Sequence, residues 1–443
     1  MEITRRRFLL AGGAGVIAAP GVAGFAAGGT GVEAGPREDS VWNADAPPMP
    51  SVPRYEGDRK VDLAIVGGGY TGLSCAYYAK LFRPERSVVV LESHKLASSA
   101  SSRNSGAVYA KYVGTSDSAM AKRGLNRLRD FIDTEEVDCD FEPASTLQLL
   151  TSRGAVEKAA SELEPGASFV SADELGERID STYYAGAVDS PGYFRVQPTK
   201  LAVGHARAAL RVGAELFEDS PALSVEEGKP ARITTPRGTL EASDVFIATN
   251  AHTPRLGYFR STIFPVHQYS FATRKLSTEE LATFGLDRWV LRFERRVLPV
   301  TFSVTPDGHF FVRMVLGYAS HNSCEWRDVE GARDTARRIF EQRYPRIADL
   351  GLDSGWHGVT GHTALMGQVA GTVGAGNIHV SVAYNGLGIM PAHNNGYLTA
   401  CKLAGRPEED TRSLTGVTGQ LPIPGEFYRS LMFKPFMRLM RPV

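Results

Sequence analysis

The sequence has no excess of either charge, since 49 lysine and arginine residues are balanced by 49 aspartate and glutamate residues. Without a basic field the chain has no means of neutralising a run of phosphates, so we set nucleic acid aside as a partner. Cysteine is also scarce: the four cysteines stand singly, with no CxxC pair and no Cys/His cluster. This spacing argues against a zinc site and a disulfide scaffold, and we expect no metal.

Acidic residues are absent from the N-terminal segment between Glu2 and residue 30. The segment opens with Arg5-Arg6-Arg7 and continues as a Gly/Ala-rich apolar run, which is similar to a twin-arginine signal for the export of folded proteins. Pro20 and several glycines interrupt the run, which disfavours the alternative of a membrane anchor. We therefore expect residues 1–29 to be a twin-arginine-type signal, residues 30–57 to be an extended leader, and the folded protein to reach the periplasm or cell envelope.

A strand, a glycine turn and a helix follow the leader. The apolar run Val61–Val66 meets Gly67-Gly68-Gly69-Tyr70-Thr71-Gly72 and then the helix-like segment Leu73–Ala79. In such a βαβ unit the glycines allow a tight turn and a close approach to a pyrophosphate, which the helix N-terminus stabilises. Glu92 ends the second strand, Ser87–Leu91, where a carboxylate can accept the ribose hydroxyls. The residues expected to hold a dinucleotide here are Gly67, Gly69, Tyr70, Thr71, Gly72 and Glu92.

The carboxylate of Glu92 disfavours a 2′-phosphorylated cofactor, so FAD and NAD remain. The next loop contains Ser102-Arg103-Asn104-Ser105-Gly106, which resembles a Gly-Arg-Asn-Gly-Gly loop of the D-amino-acid oxidase superfamily of FAD-dependent oxidoreductases. The pattern is similar above all to gamma-glutamylputrescine oxidase-like and glycine/sarcosine oxidase-like enzymes. The resemblance implies that FAD is the cofactor and that this loop lies beside its pyrophosphate and flavin ring. Because Cys324 stands in no attachment motif, we expect the FAD to be non-covalent.

Later segments follow the same family order. They are a helix over 117–132, a short strand at Val137–Phe141, a helix opening at Pro198, a turn at Ala248–Ala251, a strand and glycine loop over Asn377–Ile389, and a helix from about Pro391 to Leu403. The resemblance implies that Thr249 and Asn250 support the cofactor and that the distal glycine loop closes over the pyrimidine end of the flavin. The residues of that loop expected to contact the cofactor are Asn385, Gly386, Leu387, Gly388 and Ile389.

The fold class that follows is α/β plus α+β: a Rossmann-type FAD-binding domain assembled from separated segments, with an inserted mixed-sheet substrate domain. We expect residues 58–114, 193–253 and 355–406 to form the FAD-binding domain. Residues 115–192 and 254–354 form the expected substrate domain, in which two strands meet at a Pro306-Asp307-Gly308 turn. Residues 407–443 are a C-terminal tail of bulky apolar and basic residues. Packing of this tail on the body is the favoured interpretation, and contact with a membrane surface is the alternative.

The chemistry implied by the resemblance is oxidation of a carbon–nitrogen bond of a small amine or amino acid, followed by hydrolysis of the imine to an aldehyde or oxo acid. The expected catalytic residues are His309, Arg313, His357 and Tyr384, although each of these side chain types is common as a satisfied structural residue. Oxygen is the expected electron acceptor. A dehydrogenase that passes electrons to a quinone or carrier is one alternative, and a non-catalytic flavin-binding or assembly protein is another.

Lysine is absent between Lys275 and Lys402. Sarcosine-oxidase-like relatives use a lysine above the flavin in the reaction with oxygen. In this chain Arg313 or a protonated His309, His357 or His362 would have to substitute for it. A fixed positive charge at that place accelerates the reaction with oxygen by electrostatic stabilisation. Without the lysine we expect slow reoxidation of the flavin by oxygen, which keeps the dehydrogenase alternative open.

Overall fold

The computed structural model describes residues 40–443 with gaps at 113–117, 180, 287–289, 295, 297, 319–325, 407, 415–420, 424 and 440–443. The expected export signal, the first part of the leader (residues 30–39) and Cys324 lie outside the described residues.

Seventeen strands and nine α-helices are present in the described part of the chain. The strands are β1 (Arg59–Val66), β2 (Val88–Leu91), β3 (Ala107–Tyr109), β4 (Glu142–Leu150), β5 (Ser168–Ser171), β6 (Gly186–Arg195), β7 (Glu215–Phe217), β8 (Ser224–Glu226), β9 (Ala231–Thr235), β10 (Gly238–Ile247), β11 (Phe264–Lys275), β12 (Leu291–Glu294), β13 (Val300–Val304), β14 (His309–Tyr318), β15 (Ser354–His362), β16 (Val369–Val373) and β17 (Ile378–Val382). The helices are α1 (Tyr70–Phe82), α2 (Ser118–Thr134), α3 (Arg153–Ser161), α4 (Ala172–Ile179), α5 (Pro198–Arg211), α6 (Thr278–Thr283), α7 (Trp326–Arg343), α8 (Ile389–Leu403) and α9 (Glu426–Leu439). Short 3-10 helices cover Val41–Asn43, Asn250–Leu256, Pro345–Leu350 and Glu409–Leu414.

The first sheet has the order β16-β17-β10-β1-β2-β7, with β9 and β8 added beside β10. Strands β17, β10, β1, β2 and β7 pair in parallel. Leu63, Ala64 and Ile65 of β1 are fully buried because both faces of the sheet are covered, which explains why this strand reads as a continuous apolar run. The strand–turn–helix–strand order expected from the sequence is confirmed.

Helices α1, α5 and α8 pack together on this sheet. His205 of α5 and His393 of α8 lie in their contact, where His205 Nε2 is 2.9 Å from His393 Nδ1. His205 Nδ1 lies 2.9 Å from the carbonyl oxygen of Leu201, which can only accept a hydrogen bond. Burial lowers the pKa of His205 to about 4 and that of His393 further, so both rings are neutral in the native state.

The second sheet has the order β15-β11-β14-β13-β12-β4-β6-β3, with β5 beside β6. The expected turn joins β13 to β14, and Gly308 N donates to the carbonyl oxygen of Thr305 at 2.9 Å. Helix α7 packs against one face of this sheet. Trp42, Phe311 and Trp356 cluster on the other face. Strands β3 and β15 both belong to this second sheet, although the sequence assigns their residues to the FAD-binding domain. The domain boundaries stay a prediction.

The expected strand at Val137–Phe141 is wrong, because these residues form a loop and β4 begins at Glu142. Glu136 adopts a left-handed backbone (φ 48°) after α2, and Val137 N donates to the carbonyl oxygen of Ile132 at 2.9 Å. This is the hydrogen-bond pattern of a helix C-terminal cap. It engages the N–H group of Val137, which therefore does not pair with a neighbouring strand.

Three helices also differ from the sequence prediction. Helix α2 runs from Ser118 to Thr134, two residues beyond the expected end. Helix α8 begins at Ile389, two residues before Pro391, because proline is tolerated in a first turn whose N–H groups have no intrahelical acceptor. The terminal helix α9 lies in the segment that the sequence predicts only as a tail, and it continues through Pro435. This residue lies on the exposed side, where water can satisfy the carbonyl group that loses its donor.

Candidate functional site

The glycine turn after β1 forms an open site at the start of α1. The helix has its N-cap at Gly69, with no side-chain cap and no acidic residue in its first turn. A Cβ atom on Gly72 would lie 1.9 Å from the carbonyl oxygen of Gly67, so only glycine lets the helix pack against the turn. A Cβ atom on Gly69 would meet only Ser101 Oγ, at 2.9 Å, among the described atoms. The space in front of Gly69 is therefore suited to an anion at the helix N-terminus.

Glu92 lies beside this turn at the carboxyl end of β2, as the sequence predicts. Its carboxylate accepts hydrogen bonds from the backbone N–H groups of Gly68, at 2.8 Å, and His94, at 3.0 Å. The side chain is partly exposed, so carboxylate lone pairs remain for a ligand hydroxyl.

The loop from Ala97 to Gly106 is held in shape by the side chain of Asn104. Its amide donates to the carbonyl oxygens of Ala100 and Ser101, at 3.1 and 2.9 Å, and its oxygen accepts from Gly106 N at 2.9 Å. Ser101 Oγ accepts from Tyr70 N at 3.1 Å, which joins the loop to the start of α1. The expected residues Ser102, Ser105 and Gly106 are buried within the same loop.

Two indole rings from distant parts of the chain fix this loop further. Trp42 Nε1 donates to the carbonyl oxygen of Asn104 at 2.9 Å, and Trp356 Nε1 donates to that of Arg103 at 3.2 Å. Arg103 Nη1 in turn donates to the carbonyl oxygen of His357 at 2.9 Å. The loop therefore couples the first sheet to β15 of the second. Trp42 belongs to the segment expected to be an extended leader, and this expectation is wrong for the buried 3-10 helix Val41–Asn43.

The distal loop after β17 is anchored by two asparagines. Asn250 Oδ1 accepts from Ala383 N at 3.1 Å, and Asn385 Oδ1 accepts from Thr363 N at 3.0 Å. Gly386 follows with φ of 84°, and helix α8 then starts from Gly388 without a side-chain cap. The expected residues of this loop are thus together, with the uncapped N-terminus of α8 behind them. Thr249, at the end of β10, bonds to Thr253 at 2.9 Å.

Tyr384 lies beneath the distal loop and connects it to α1. Its hydroxyl is 2.9 Å from Thr71 Oγ1 and 3.0 Å from Ser381 Oγ. Burial raises the pKa of Tyr384 to about 12. Because both partners are protein groups in the core, these bonds hold the distal loop on α1, and a catalytic role of Tyr384 stays a prediction.

A polar chain crosses the face of the second sheet next to this loop. Arg313 of β14 donates through Nη1 to Gln268 Oε1. Gln268 Nε2 donates to Thr360 Oγ1 at 2.9 Å, and Thr360 Oγ1 lies 2.9 Å from His362 Nε2. A Cβ atom built on Gly386 would lie 3.5 Å from Gln268 Nε2, which places the chain directly against the distal loop.

Arg313 carries the positive charge of this polar chain of side chains. Burial lowers the pKa of the guanidinium, which still remains protonated at neutral pH. Burial and then the charge of Arg313 lower the pKa of His362 to about 4, so His362 is neutral. Burial raises the pKa of Tyr109, which interacts electrostatically with Arg313. Among the described residues, no carboxylate forms an ion pair with Arg313, whose hydrogen-bond partner is the neutral amide of Gln268.

The other two expected catalytic side chains lie elsewhere. His309 starts β14, four residues and about 13 Å from Arg313 at the usual rise of a strand. Its ring lies 3.3 Å from Asp307, and this partner raises its pKa. His357 pairs with Tyr269 on the opposite face of the sheet, with their ring centroids 6.3 Å apart. Arg313 is therefore the one member of the four that faces the distal loop.

Comparison with known proteins identifies the family of this protein. A family model described as FAD dependent oxidoreductase matches residues 62–401. The chain belongs to this family. A probable oxidoreductase OrdL of Rhizobium meliloti (strain 1021) is 28% identical over 84% of this chain and 89% of its own length. Gamma-glutamylputrescine oxidoreductase of Escherichia coli (strain K12) is 25% identical over 78% of this chain and 84% of its own.

Solved structures show the same fold. Glycine oxidase from Geobacillus kaustophilus superposes with a TM-score of 0.68, at 18% identity, over 82% of this chain and 99% of that one. The present chain is thus an FAD-binding oxidoreductase of mixed α/β fold. Its residues fit the cofactor: the open space at Gly69 suits the pyrophosphate, Glu92 suits the ribose, and the distal loop with α8 suits the flavin.

The sequence does not predict four contributors to the site: Trp42, Ser101, Gln268 and Thr360. Ser101 could have been found, because it directly precedes the loop segment Ser102–Gly106. Gln268 and Thr360 alternate with apolar residues in strands that carry no motif, and only strand register brings them to Arg313.

Proposed function

We propose that this FAD-dependent enzyme oxidises a carbon–nitrogen bond of a small amine or amino acid that carries a carboxylate group. The observation that carries the proposal is the position of Arg313, a partly desolvated cation beside the distal loop that bonds to a neutral amide. A buried charge without an ionic partner is costly, and a carboxylate ligand would remove that cost. The names of two similar proteins refer to gamma-glutamylputrescine and glycine, compounds that each contain an amine and a carboxylate.

The protein residues then have separate tasks. Arg313 binds the carboxylate, and Gln268 fixes the direction of the guanidinium through its contacts with Arg313 and Thr360. His362 stays neutral and does not compete for the carboxylate. FAD, when bound, supplies the two-electron acceptor for the hydride equivalent that leaves the substrate carbon. Water would hydrolyse the resulting imine to an aldehyde or oxo acid and release ammonia or an amine.

An anaerobic titration tests this proposal. Purified enzyme is mixed with an amino acid, with its decarboxylated amine and with its amide, and the flavin absorbance near its visible maximum is followed. We expect the carboxylate-bearing amine to bleach the flavin at concentrations at least ~10-fold lower than the decarboxylated amine or the amide, because its pairing with Arg313 is a charge-assisted interaction. Failure of every amine to bleach the flavin would instead support a non-catalytic flavin-binding protein.

Oxygen is the acceptor that we propose, with a quinone or carrier as the alternative. One observation favours the quinone or carrier. Arg313 is the positively charged residue of the polar chain described above, and a bound carboxylate would neutralise its charge. Stopped-flow mixing of substrate-reduced enzyme with air-saturated buffer separates the two. Reoxidation slower than turnover with a soluble quinone identifies a dehydrogenase, whereas reoxidation at or above the turnover rate identifies an oxidase.

The proposed location is the periplasm or cell envelope, reached through the twin-arginine-type signal at residues 1–29. Export in the folded state suits an enzyme that binds FAD before it leaves the cytoplasm.

A further inference from the structure

The terminal helix α9 is attached to the body by one face. The ring of Phe433 stacks on Phe264 and Tyr318, with centroids 5.2 and 5.6 Å away. The buried Arg429 donates to the carbonyl oxygens of Ile263, at 3.2 Å, and Arg260, at 2.8 Å. Packing of the tail on the body is therefore present, and it fixes which side of the helix faces outward.

The outward side of α9 is apolar. Half of the twelve large hydrophobic side chains that are exposed in the described part of the chain lie on this helix. They are Phe427 (74% exposed), Tyr428 (61%), Leu431 (63%), Met432 (62%), Phe436 (39%) and Leu439 (83%). At 100° per residue these positions cover about half of the helix circumference, and Arg429 and Phe433 lie on the other half. A contiguous apolar surface of this kind marks an interaction site.

The charge of the tail indicates the partner. From Phe427 to Val443 the sequence contains no acidic residue and three basic residues besides the buried Arg429, although the whole chain is neutral. Bulky apolar and aromatic residues combined with basic residues are typical of helices that lie in the interface of an anionic membrane. With 14 residues, α9 is shorter than the roughly 20 residues that span a bilayer. None of the helices in the described ranges is long and apolar enough to do so.

We propose that α9 docks flat on the surface of an anionic phospholipid bilayer through the face formed by Phe427, Tyr428, Leu431, Met432, Phe436 and Leu439. A second copy of the chain fits this face less well. The helix is about 21 Å long and about 10 Å wide, a footprint on the order of 200 Å², against roughly 800 Å² per partner in a stable interface. A symmetric dimer would also bring two acid-free basic segments together, and like charges across an interface are unfavourable.

A position-specific fluorescence experiment on the full FAD-loaded chain tests the proposal. Leu431→Cys is labelled with a polarity-sensitive dye, and Leu223→Cys, at a leucine that is 57% exposed outside the helix, is the matched control. Cys324 is replaced by serine in both, since the other three cysteines are buried. Vesicles of phosphatidylcholine mixed with phosphatidylglycerol are compared with vesicles of phosphatidylcholine alone. The dye position separates docking by α9 from attachment through the N-terminal segment.

We expect the dye at position 431 to shift to the blue with anionic vesicles, and at least ~10-fold less with neutral vesicles or in high salt. The dye at position 223 should not shift. In unlabelled enzyme, Leu431→Gln with Met432→Gln should lower anionic-vesicle binding at least ~10-fold without changing FAD absorbance or turnover with a soluble acceptor. An absent shift at 431, an equal shift on neutral vesicles, or a shift that follows protein concentration without lipid would each overturn the proposal; the last would identify a second copy as the occupant.

Discussion

Replacing Arg313 by methionine should separate substrate recognition from stability. Arg313 is a desolvated cation whose partner in the described structure is the amide of Gln268. Methionine has a similar length and no charge, so the desolvation cost of the guanidinium disappears, while Gln268 keeps its bond to Thr360. Replacing buried charges by apolar groups of similar volume is often neutral or stabilising by roughly 1–4 kcal/mol, and one lost hydrogen bond costs about 1 kcal/mol. The free energy of unfolding should therefore not fall.

Activity should respond in the opposite direction. Two charge-assisted hydrogen bonds between a guanidinium and a carboxylate are together worth about 3 kcal/mol, which corresponds to roughly a 100-fold loss of kcat/KM for a carboxylate-bearing amine. The matched decarboxylated amine should change by less than ~5-fold, because it makes no such bond. The measurements are kcat/KM for the two substrates and thermal unfolding followed by circular dichroism with saturating FAD.

Arg343 offers a matched control for stability. It is a buried arginine, whereas Arg313 is partly exposed, and its Nε lies 3.0 Å from a carboxylate oxygen of the fully buried Glu294. Arg343→Met would remove the buried ionic partner of that carboxylate, which keeps the partly exposed Arg296 at 3.2 Å, and should destabilise the protein by about 3 kcal/mol. If Arg313→Met lowered the melting temperature as much as Arg343→Met, or reduced activity equally on both substrates, Arg313 would be a structural residue and the proposed role would be refuted.

Three other perturbations have defined outcomes. Gly69→Val should leave a folded protein without FAD, because its side chain enters the proposed anion site, whereas Gly72→Ala should fail to fold against the backbone contact at 1.9 Å; absorbance and circular dichroism distinguish them. The native pKa of His205 is about 4 and its value in the unfolded chain is about 6.5, so the unfolded state binds more protons between these pH values. The free energy of unfolding should therefore fall as the pH drops from 6.5 towards 4, by up to about 1.4 kcal/mol per pH unit. Urea titrations would detect this loss. Replacing Arg5 and Arg6 by lysine should retain folded enzyme in the cytoplasm, and normal recovery in the envelope fraction would contradict the export hypothesis.

The cofactor side of the molecule could be predicted from sequence because its signals are local. The continuous apolar run of β1, the glycines after it and Glu92 at the end of β2 each report a requirement of the backbone at that position. Pro198 was likewise expected to open a helix, and it occupies the first turn of α5. These features need no knowledge of which distant strand is a neighbour.

The substrate side could not be predicted to the same depth because it depends on register. In a strand, adjacent residues point to opposite faces, so the candidate His357 and its neighbour Trp356 lie on different sides of β15. Gln268 comes to Arg313 only through the pairing of β11 with β14. Trp42 escaped for a related reason, since its partners at Asn104 and Phe311 are far away in sequence.

The choice of electron acceptor and the role of the terminal helix are physically connected. A carboxylate bound at Arg313 would neutralise the positive charge of the described polar chain, and electrostatic assistance to the reduction of oxygen would weaken while ligand is bound. An uncharged quinone needs no such assistance, but it resides in the bilayer, where a freely diffusing enzyme meets it rarely. Docking through α9 would place the enzyme at that surface without inserting a spanning helix. Docking through α9 leaves the residues around Arg313 unchanged, so it is compatible with the proposed oxygen acceptor and fixes only where the enzyme works. If the vesicle experiment shows docking and the stopped-flow experiment shows reoxidation by oxygen slower than turnover with a quinone, the two results together identify a quinone of the bilayer as the acceptor.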